Sequence, residues 1–240
     1  IRSGQLEAPD GFEHWLLKFD GMGDDHELGA SQNYGRVEYA YHLMARSAGI
    51  AMSPCRLLEE NGRAHFMTKR FDREGNTRHH VQTLCAMAHL DFRQKATHDV
   101  RQLFHTMQAL RLDYVAIEEA FRRIAFNVLA ANCDDHTKNI SFLLRREGPW
   151  ELSPAYDVTH AHNPAGEWTD QHFMSVNGRF TNITRDDLLA SADAVAIGTA
   201  PRVLAQVADA VRAWPDFAAR AGVSAAEAAR IRKDHQLLSA

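Results

Sequence analysis

An aspartate and an asparagine five residues apart are the side chains of this sequence best suited to chemistry. They are Asp134 and Asn139, in the segment 132–139 that reads Asn-Cys-Asp-Asp-His-Thr-Lys-Asn, and another aspartate follows at Asp157. Phosphoryl transfer needs a carboxylate that orients and deprotonates the attacking hydroxyl, and oxygen ligands that hold Mg²⁺ against the nucleotide phosphates. Asp134 suits the first role. Asn139 and Asp157 suit the second, because Mg²⁺ prefers oxygen donors.

The elements around this segment must bring the three residues together. Asp, Asn and His between a helix and a strand are otherwise ordinary loop and cap residues. Apolar residues at helical spacing predict a helix over 113–131, and alternation predicts a strand over 140–144 with a return strand over 150–152. This hairpin would return Asp157 to the side of Asn139, as a shared metal ion requires.

Two basic side chains lie within the same segment. His136 and Lys138 are candidate catalytic residues, because either could place positive charge near the transferred phosphate or orient the base. Either could equally be a loop residue that bonds to its own backbone.

Composition limits the classes of function. The 240 residues are 45% hydrophobic and 24% charged, which is typical of a soluble protein with one large domain or two small lobes. The net charge of -4 gives no reason to expect direct binding to nucleic acid. No apolar run approaches a membrane span, and three cysteines without metal-knuckle spacing favour a reducing, cytoplasmic setting.

The two ends of the chain differ in character. Residues 14–70 predict a strand, a helix over 36–48 and a hairpin around Asn61-Gly62, whereas the rest is mainly helical. Helices are predicted over 98–110, 113–131, 186–193, 200–214 and 224–238. This order predicts an α+β, protein-kinase-like two-lobed fold. Residues 1–72 would form a partial, mixed α/β N-lobe with the hinge, and residues 73–240 a helical C-lobe with the catalytic and metal-binding loops.

The small lobe offers groups that can bind a nucleotide. Lys18 lies on the first strand and faces away from Leu17 and Phe19, and Glu38 in the single helix is its natural partner. A solvated strand lysine and an acid in a first helical turn are the alternatives. The segment that connects the two lobes would be the hinge, whose backbone groups would form hydrogen bonds with adenine. Phe71 would pack on the base or in the core. The residues of the hinge are Lys69, Arg70, Phe71 and Asp72.

With these residues assembled, the chain resembles the HipA family of bacterial serine/threonine kinases, the toxins of type II toxin–antitoxin pairs. The resemblance runs from residue 14 to about residue 180. The matching segments read His-Trp-Leu-Leu-Lys-Phe at 14–19, Glu-Tyr-Ala-Tyr at 38–41, Phe-Met-Thr-Lys-Arg-Phe-Asp-Arg at 66–73, Cys-Asp-Asp-His-Thr-Lys-Asn-Ile-Ser at 133–141 and Pro-Ala-Tyr-Asp-Val at 154–158.

The resemblance implies use of ATP and Mg²⁺ to phosphorylate a protein serine or threonine. It implies Asp134 as the catalytic base, Asn139 and Asp157 as metal ligands and Lys18 as the phosphate-binding lysine. Characterised members phosphorylate aminoacyl-tRNA synthetases and are neutralised by a DNA-binding helix-turn-helix antitoxin, so both are expected partner classes. The family's glycine-rich phosphate loop and N-terminal subdomain have no counterpart in residues 1–13, so we expect the body of a kinase without these parts and with weakened catalysis.

Three other functions remain open on the sequence. A small-molecule phosphotransferase of the aminoglycoside or choline type would use the same loop with an acidic acceptor cleft, and no dense acidic cluster occurs at 160–179. A non-catalytic, kinase-like binding module would keep the architecture without the reaction. A His/Asp metal-dependent hydrolase would need ligands on facing helices, which the hairpin after Asn139 disfavours.

Overall fold

The computed structural model describes residues 7–21, 24–25, 29–30 and 33–237. The strands are β1 (Trp15–Lys18), β2 (Asp24–Asp25), β3 (Gly29–Ala30), β4 (Cys55–Glu60), β5 (Arg63–Lys69), β6 (Arg73–Glu74), β7 (Thr77–Arg78), β8 (His80–Thr83), β9 (His98–Asp99), β10 (Ser141–Leu144), β11 (Trp150–Leu152) and β12 (Met174–Ser175). The helices are α1 (Tyr34–Ser47), α2 (Leu84–Met87), α3 (Val100–Ala109), α4 (Tyr114–Leu129), α5 (Arg185–Asp193), α6 (Ala200–Arg212), α7 (Trp214–Ala221) and α8 (Ala225–Asp234).

The first sheet has the order β1-β5-β4 and is antiparallel throughout. Asn61 and Gly62 join β4 to β5 with φ values of 48° and 77°. Two positive φ values match the twist of a two-residue hairpin, as the Asn-Gly pair predicts. In the β1–β5 register Lys18 lies opposite Phe66, which fixes the position of this lysine on the sheet.

Helix α1 packs closely on this sheet. A Cβ atom at Gly35 would lie 2.0 Å from the carbonyl oxygen of Ala64 on β5, so only glycine permits this approach. On the opposite side α1 contacts α7, where Tyr41 and Trp214 are fully buried with their ring centroids 5.2 Å apart. Helix α1 therefore connects the small sheet to the helical part of the protein.

A second antiparallel sheet has the order β11-β10-β8 and carries the predicted hairpin of β10 and β11. β8 was not expected from the sequence, because its four residues lack an apolar alternation and pair with β10 only through tertiary folding. The predicted helix over 200–214 is observed as α6 and ends at Arg212, whereas α7, which begins at Trp214, was not predicted. Pro215 occupies the first turn of α7, where a missing N–H costs nothing. Across the described residues, no helix is long and apolar enough to cross a membrane.

Candidate active site

The loop after α4 is held by main-chain hydrogen bonds to the segment that follows Asp157. Ala131 has a left-handed conformation (φ 53°) and turns the chain out of the helix. The Cys133 N–H donates to the Ala161 carbonyl at 2.9 Å, and the Ala161 N–H donates to the Ala131 carbonyl at 3.1 Å. The start of the loop therefore pairs with residue 161 in the manner of a short strand.

Asn139 closes the same loop. Its side-chain Nδ2 donates to the Asp134 carbonyl at 2.8 Å, and its backbone N–H donates to the His136 carbonyl at 2.9 Å. The amide nitrogen is therefore directed into the loop, and Oδ1 is the end of this side chain that remains to act as an acceptor.

Asp157 is brought beside this loop by its neighbour Tyr156. The Tyr156 hydroxyl donates to the Lys138 carbonyl at 2.5 Å and lies 2.5 Å from the Ser141 hydroxyl. Asp157 itself has a left-handed backbone (φ 55°), a conformation that aspartate adopts more readily than most residues other than glycine.

Lys18 bridges two carboxylates from distant parts of the chain. Its ammonium group lies 2.7 Å from Glu38 Oε1 and also donates to Asp157 Oδ1. Burial lowers the pKa of Lys18, but the two carboxylates outweigh it and raise this pKa above its usual range, so the lysine stays charged. Burial raises the pKa of Glu38 to about 7, against the opposing effect of Lys18.

Asp134 has the properties of a general base at neutral pH. Burial raises its pKa to about 6; Asp157 and Asp135 add to the rise, whereas His136 and Lys18 oppose it. The side chain is still 42% exposed and its Oδ1 lies 3.6 Å from His136 Nε2. A carboxylate with this pKa is ionised at pH 7, accessible, and a stronger proton acceptor than an ordinary aspartate.

His136 and Lys138 are held by aromatic rings. The His136 ring packs edge-on against Phe92 and Phe173, with centroids 5.5 Å and 5.6 Å away. The Lys138 ammonium lies 3.6 Å from the centroid of Phe92, where its charge interacts with the ring face. Both stay candidates by position, since they border Asp134, and neither contacts Asn139 or Asp157 through its side chain among the described residues.

The charged side chains of the predicted hinge pair with other charged side chains of the protein. Lys69 forms an ion pair with Glu13, and Arg70 donates to both Asp72 oxygens at 2.8 Å and 2.6 Å. The Phe71 ring lies 5.8 Å from Tyr156, at the edge of the site. The side chains of Lys69, Arg70 and Asp72 therefore pair with each other or with Glu13. The prediction for this segment is that its backbone groups, not these side chains, form hydrogen bonds with adenine.

Three residues next to the candidate site residues were not singled out from the sequence, namely Leu16, Asp135 and His172. Leu16 lies two residues before Lys18 on β1, so strand alternation puts it on the lysine's face, and it is 54% exposed. Asp135 accepts hydrogen bonds from His172 Nδ1 at 2.9 Å and from the Phe173 N–H at 2.7 Å. Strand alternation could have found Leu16, whereas nothing local to the sequence signals the contact between residues 135 and 172.

A cleft with mostly apolar walls adjoins the candidate metal ligands. Asn139, Asp157 and Asp135 border its polar side. Its remaining walls are mostly apolar, for example Ile50, Ile124 and Leu152, whereas Lys18 and Asp134 are not part of this lining.

The donor set at the front of the cleft fits Mg²⁺. Asn139 and Asp157 offer an amide oxygen and a carboxylate, both hard donors. The described residues contain no group of three or more His, Cys, Asp or Glu side chains arranged to hold a metal ion. A few protein oxygens completed by water and phosphate are the usual coordination of Mg²⁺ in nucleotide sites.

Comparison with known proteins identifies the family. The family model described as the HipA-like C-terminal domain matches residues 3–234. The chain belongs to this family. All of the predicted site residues fall within the match to the HipA-like C-terminal domain. No curated protein matches the chain.

Two solved structures resemble the HipA-like fold described above. One is the Shewanella oneidensis MR-1 toxin–antitoxin system, a complex of HipA, HipB and operator DNA, with a TM-score of 0.66 at 17% identity. The match covers 99% of this chain and 65% of that chain, so this chain spans less than two thirds of its relative. The other is CtkA, a proinflammatory kinase of Helicobacter pylori, with a TM-score of 0.56 at 11% identity. That match covers 97% of this chain and 90% of CtkA. The predicted HipA resemblance and the α+β, kinase-like fold are confirmed.

Proposed function

We propose that this chain carries the catalytic site of an ATP- and Mg²⁺-dependent protein kinase that phosphorylates a serine or threonine hydroxyl. The observation that carries the proposal is the contact of Lys18 with Glu38, at 2.7 Å, and with Asp157. These residues come from a strand, a helix and a loop that lie far apart in the sequence. Phosphoryl transfer requires such a set of groups in fixed geometry.

Each residue would have a defined role. Asn139 and Asp157 would hold Mg²⁺, which neutralises charge on the nucleotide phosphates when bound. Lys18, held by Glu38, would place its ammonium group on the phosphates. The Asp157 carboxylate must then exchange at least part of its contact with Lys18 for the metal.

Asp134 would remove the proton of the acceptor. As the hydroxyl oxygen bonds to the γ-phosphorus, the bond to the β-phosphate oxygen breaks, and the proton passes to the Asp134 carboxylate. Leu16 would pack on the base from β1, because it lies on the same face as Lys18. The hinge of residues 69–72 would contact the edge of the base.

The family resemblance supports a choice of acceptor and partner to test. We propose a protein acceptor, with a translation component such as an aminoacyl-tRNA synthetase as the first class to test. We also propose a helix-turn-helix antitoxin as partner, because the Shewanella structure contains HipA together with HipB. The division into lobes at residue 72 and the cytoplasmic setting remain predictions from the sequence.

Calorimetric titration of ATP into the protein, with and without Mg²⁺, tests the proposal. We expect Mg²⁺-dependent binding that is lost in Asp157→Asn; asparagine is preferred to alanine because it tolerates the left-handed backbone at this position. Asp186→Asn, an exposed aspartate in the first turn of α5, is the matched control and should bind as the wild type does. Absence of binding by the wild type, or equal binding by Asp157→Asn, would contradict the proposal.

A further inference from the structure

Three consecutive residues at the end of α8 contact the elements that carry the candidate catalytic groups. Asp234, His235 and Gln236 are called here the C-terminal clamp. Each is partly buried, and the main chain leaves the helix at His235, whose backbone is extended (φ -65°, ψ 129°). The clamp therefore runs across the protein surface beside α4 instead of continuing α8.

The first two contacts join the clamp to α4 and α1. The Gln236 N–H donates to the Leu129 carbonyl at 2.9 Å, so it satisfies an acceptor at the C-terminal end of α4. His235 Nε2 lies 3.0 Å from the Tyr41 hydroxyl, which itself donates to the Ala130 carbonyl at 2.6 Å. Tyr41 is one helical turn beyond Glu38, and Ala130 is four residues before Asp134.

The third contact joins the clamp to the segment after Asp157. His160 Nε2 donates to Asp234 Oδ2 at 2.8 Å, and His160 is almost completely buried. His162 Nδ1 lies 3.5 Å from the other oxygen of Asp234. Ala161, between the two histidines, is the residue that pairs with Ala131 and Cys133 at the start of the loop after α4.

We propose that Asp234 and His235 are positioning residues that fix α1, the end of α4 and the segment after Asp157 relative to one another. These elements carry Glu38, Asp134 and Asp157, so the clamp sets the relative positions of the lysine partner, the base and the metal ligand. The inference rests on the proposed function, since it assigns to the clamp a part in the alignment of that site. None of the three clamp residues contacts the catalytic groups directly among the described residues.

The variant Asp234→Asn tests the clamp, because it removes the charge that holds His160 and keeps the size of the side chain. Lys233→Gln is the matched control: it changes the charge by one unit at the adjacent, exposed residue of α8. Asp234→Glu, which restores the carboxylate, should recover part of any loss. Thermal unfolding of each variant shows whether it is folded at the assay temperature.

Two readouts separate positioning from simple loss of stability. We expect kcat for phosphoryl transfer to fall by up to about 100-fold in Asp234→Asn, because misplacement of reacting groups by about 1 Å can have that effect, while KM for Mg²⁺-ATP changes less. By hydrogen exchange, the Cys133 and Ala161 amides should exchange faster in Asp234→Asn than in Lys233→Gln.

The outcomes distinguish this inference from the proposed function. A wild type that neither binds Mg²⁺-ATP nor transfers phosphate overturns the proposed function. A wild type that does both, with Asp234→Asn equal to it in kcat and in exchange at residues 133 and 161, overturns the clamp alone. The clamp is also overturned if Asp234→Asn loses activity only in proportion to the fraction that is unfolded.

Discussion

Asp134 illustrates how much of the proposed chemistry depends on a single ionisable group. The variant Asp134→Asn keeps the shape of the side chain and removes its ability to accept a proton. We expect phosphoryl transfer to fall by about 10²- to 10⁴-fold, the usual contribution of a general base, while affinity for Mg²⁺-ATP stays unchanged because the base acts only in the chemical step. Transfer of labelled phosphate and calorimetric binding, measured side by side, check both statements, with Asp186→Asn as the control. Undiminished transfer would refute the assignment of Asp134 as the base.

The buried pair of Asp135 and His172 gives a second prediction at the scale of residues. Burial lowers the pKa of His172, but the Asp135 carboxylate outweighs it and raises this pKa to about 10. An unfolded histidine has a pKa of about 6.5. The stabilising effect of this pair is therefore fully present below pH 6.5 and is lost as the pH rises through about 10.

Replacement of this histidine should remove that pH dependence. We expect His172→Gln to lower the free energy of unfolding at pH 7 by roughly 3–5 kcal/mol, because it leaves the Asp135 carboxylate buried without its charged partner. Between pH 6.5 and 10 the difference from the wild type should shrink. Denaturant unfolding at several pH values measures this, and His105→Gln, at an exposed position on α3, serves as the control. A constant difference across the range would contradict the assigned charge state.

At the scale of elements, the contact of α1 with β5 positions Glu38. A methyl group at Gly35 would meet the Ala64 carbonyl oxygen at 2.0 Å, so the helix must move or the strand must bend. We expect Gly35→Ala to destabilise the protein by roughly 1–3 kcal/mol through overpacking and to weaken Mg²⁺-ATP binding by displacing Glu38 from Lys18.

A second glycine provides the control for this prediction. Gly198 has an ordinary φ, and a Cβ atom there would meet no atom within 4 Å, so Gly198→Ala should unfold at the wild-type temperature or slightly above it. Melting curves for the two variants are the measurement. Equal melting temperatures would show that the close approach of α1 and β5 is not required.

The sequence predicted those elements whose signals are local. The Asn61-Gly62 hairpin, helix α1 and the hairpin of β10 and β11 all have the expected type, because turn residues and apolar periodicity act over short distances. β8 could not be predicted, since it becomes a strand only by pairing with β10. Helix α7 was not predicted, although Pro215 in its first turn is a local signal that marks a helix start.

In the candidate site, too, the contacts that depend on long-range packing were not predicted from the sequence. Lys18 and Glu38 were paired from the sequence because kinase chemistry requires a lysine held by a helix carboxylate, and the structure places them 2.7 Å apart. The contact of Asp135 with His172 and that of Asp234 with His160 depend on how distant loops pack. No periodicity in the sequence reports such contacts, so they appear only in three dimensions.

At the scale of the whole molecule, ligand binding and folding should be linked. The candidate site takes Lys18 from β1, Glu38 from α1 and Asp157 from a loop, and α1 belongs to the same hydrophobic core as α4, α6 and α7. A ligand that holds these elements together binds only the folded chain. Mg²⁺-ATP at 100 times its Kd should therefore stabilise the protein by about 2.7 kcal/mol.

This stabilisation predicts a rise in melting temperature. For a chain of this size roughly 2–4 °C corresponds to each kcal/mol, so the expected rise is roughly 5–10 °C. The rise should disappear without Mg²⁺ and in Asp157→Asn, but should persist in Asp134→Asn, because the base is not needed for binding. Thermal unfolding at increasing nucleotide concentration makes the measurement. A rise that survives in Asp157→Asn would place the nucleotide elsewhere on the molecule, since a ligand stabilises the fold only through the residues that bind it.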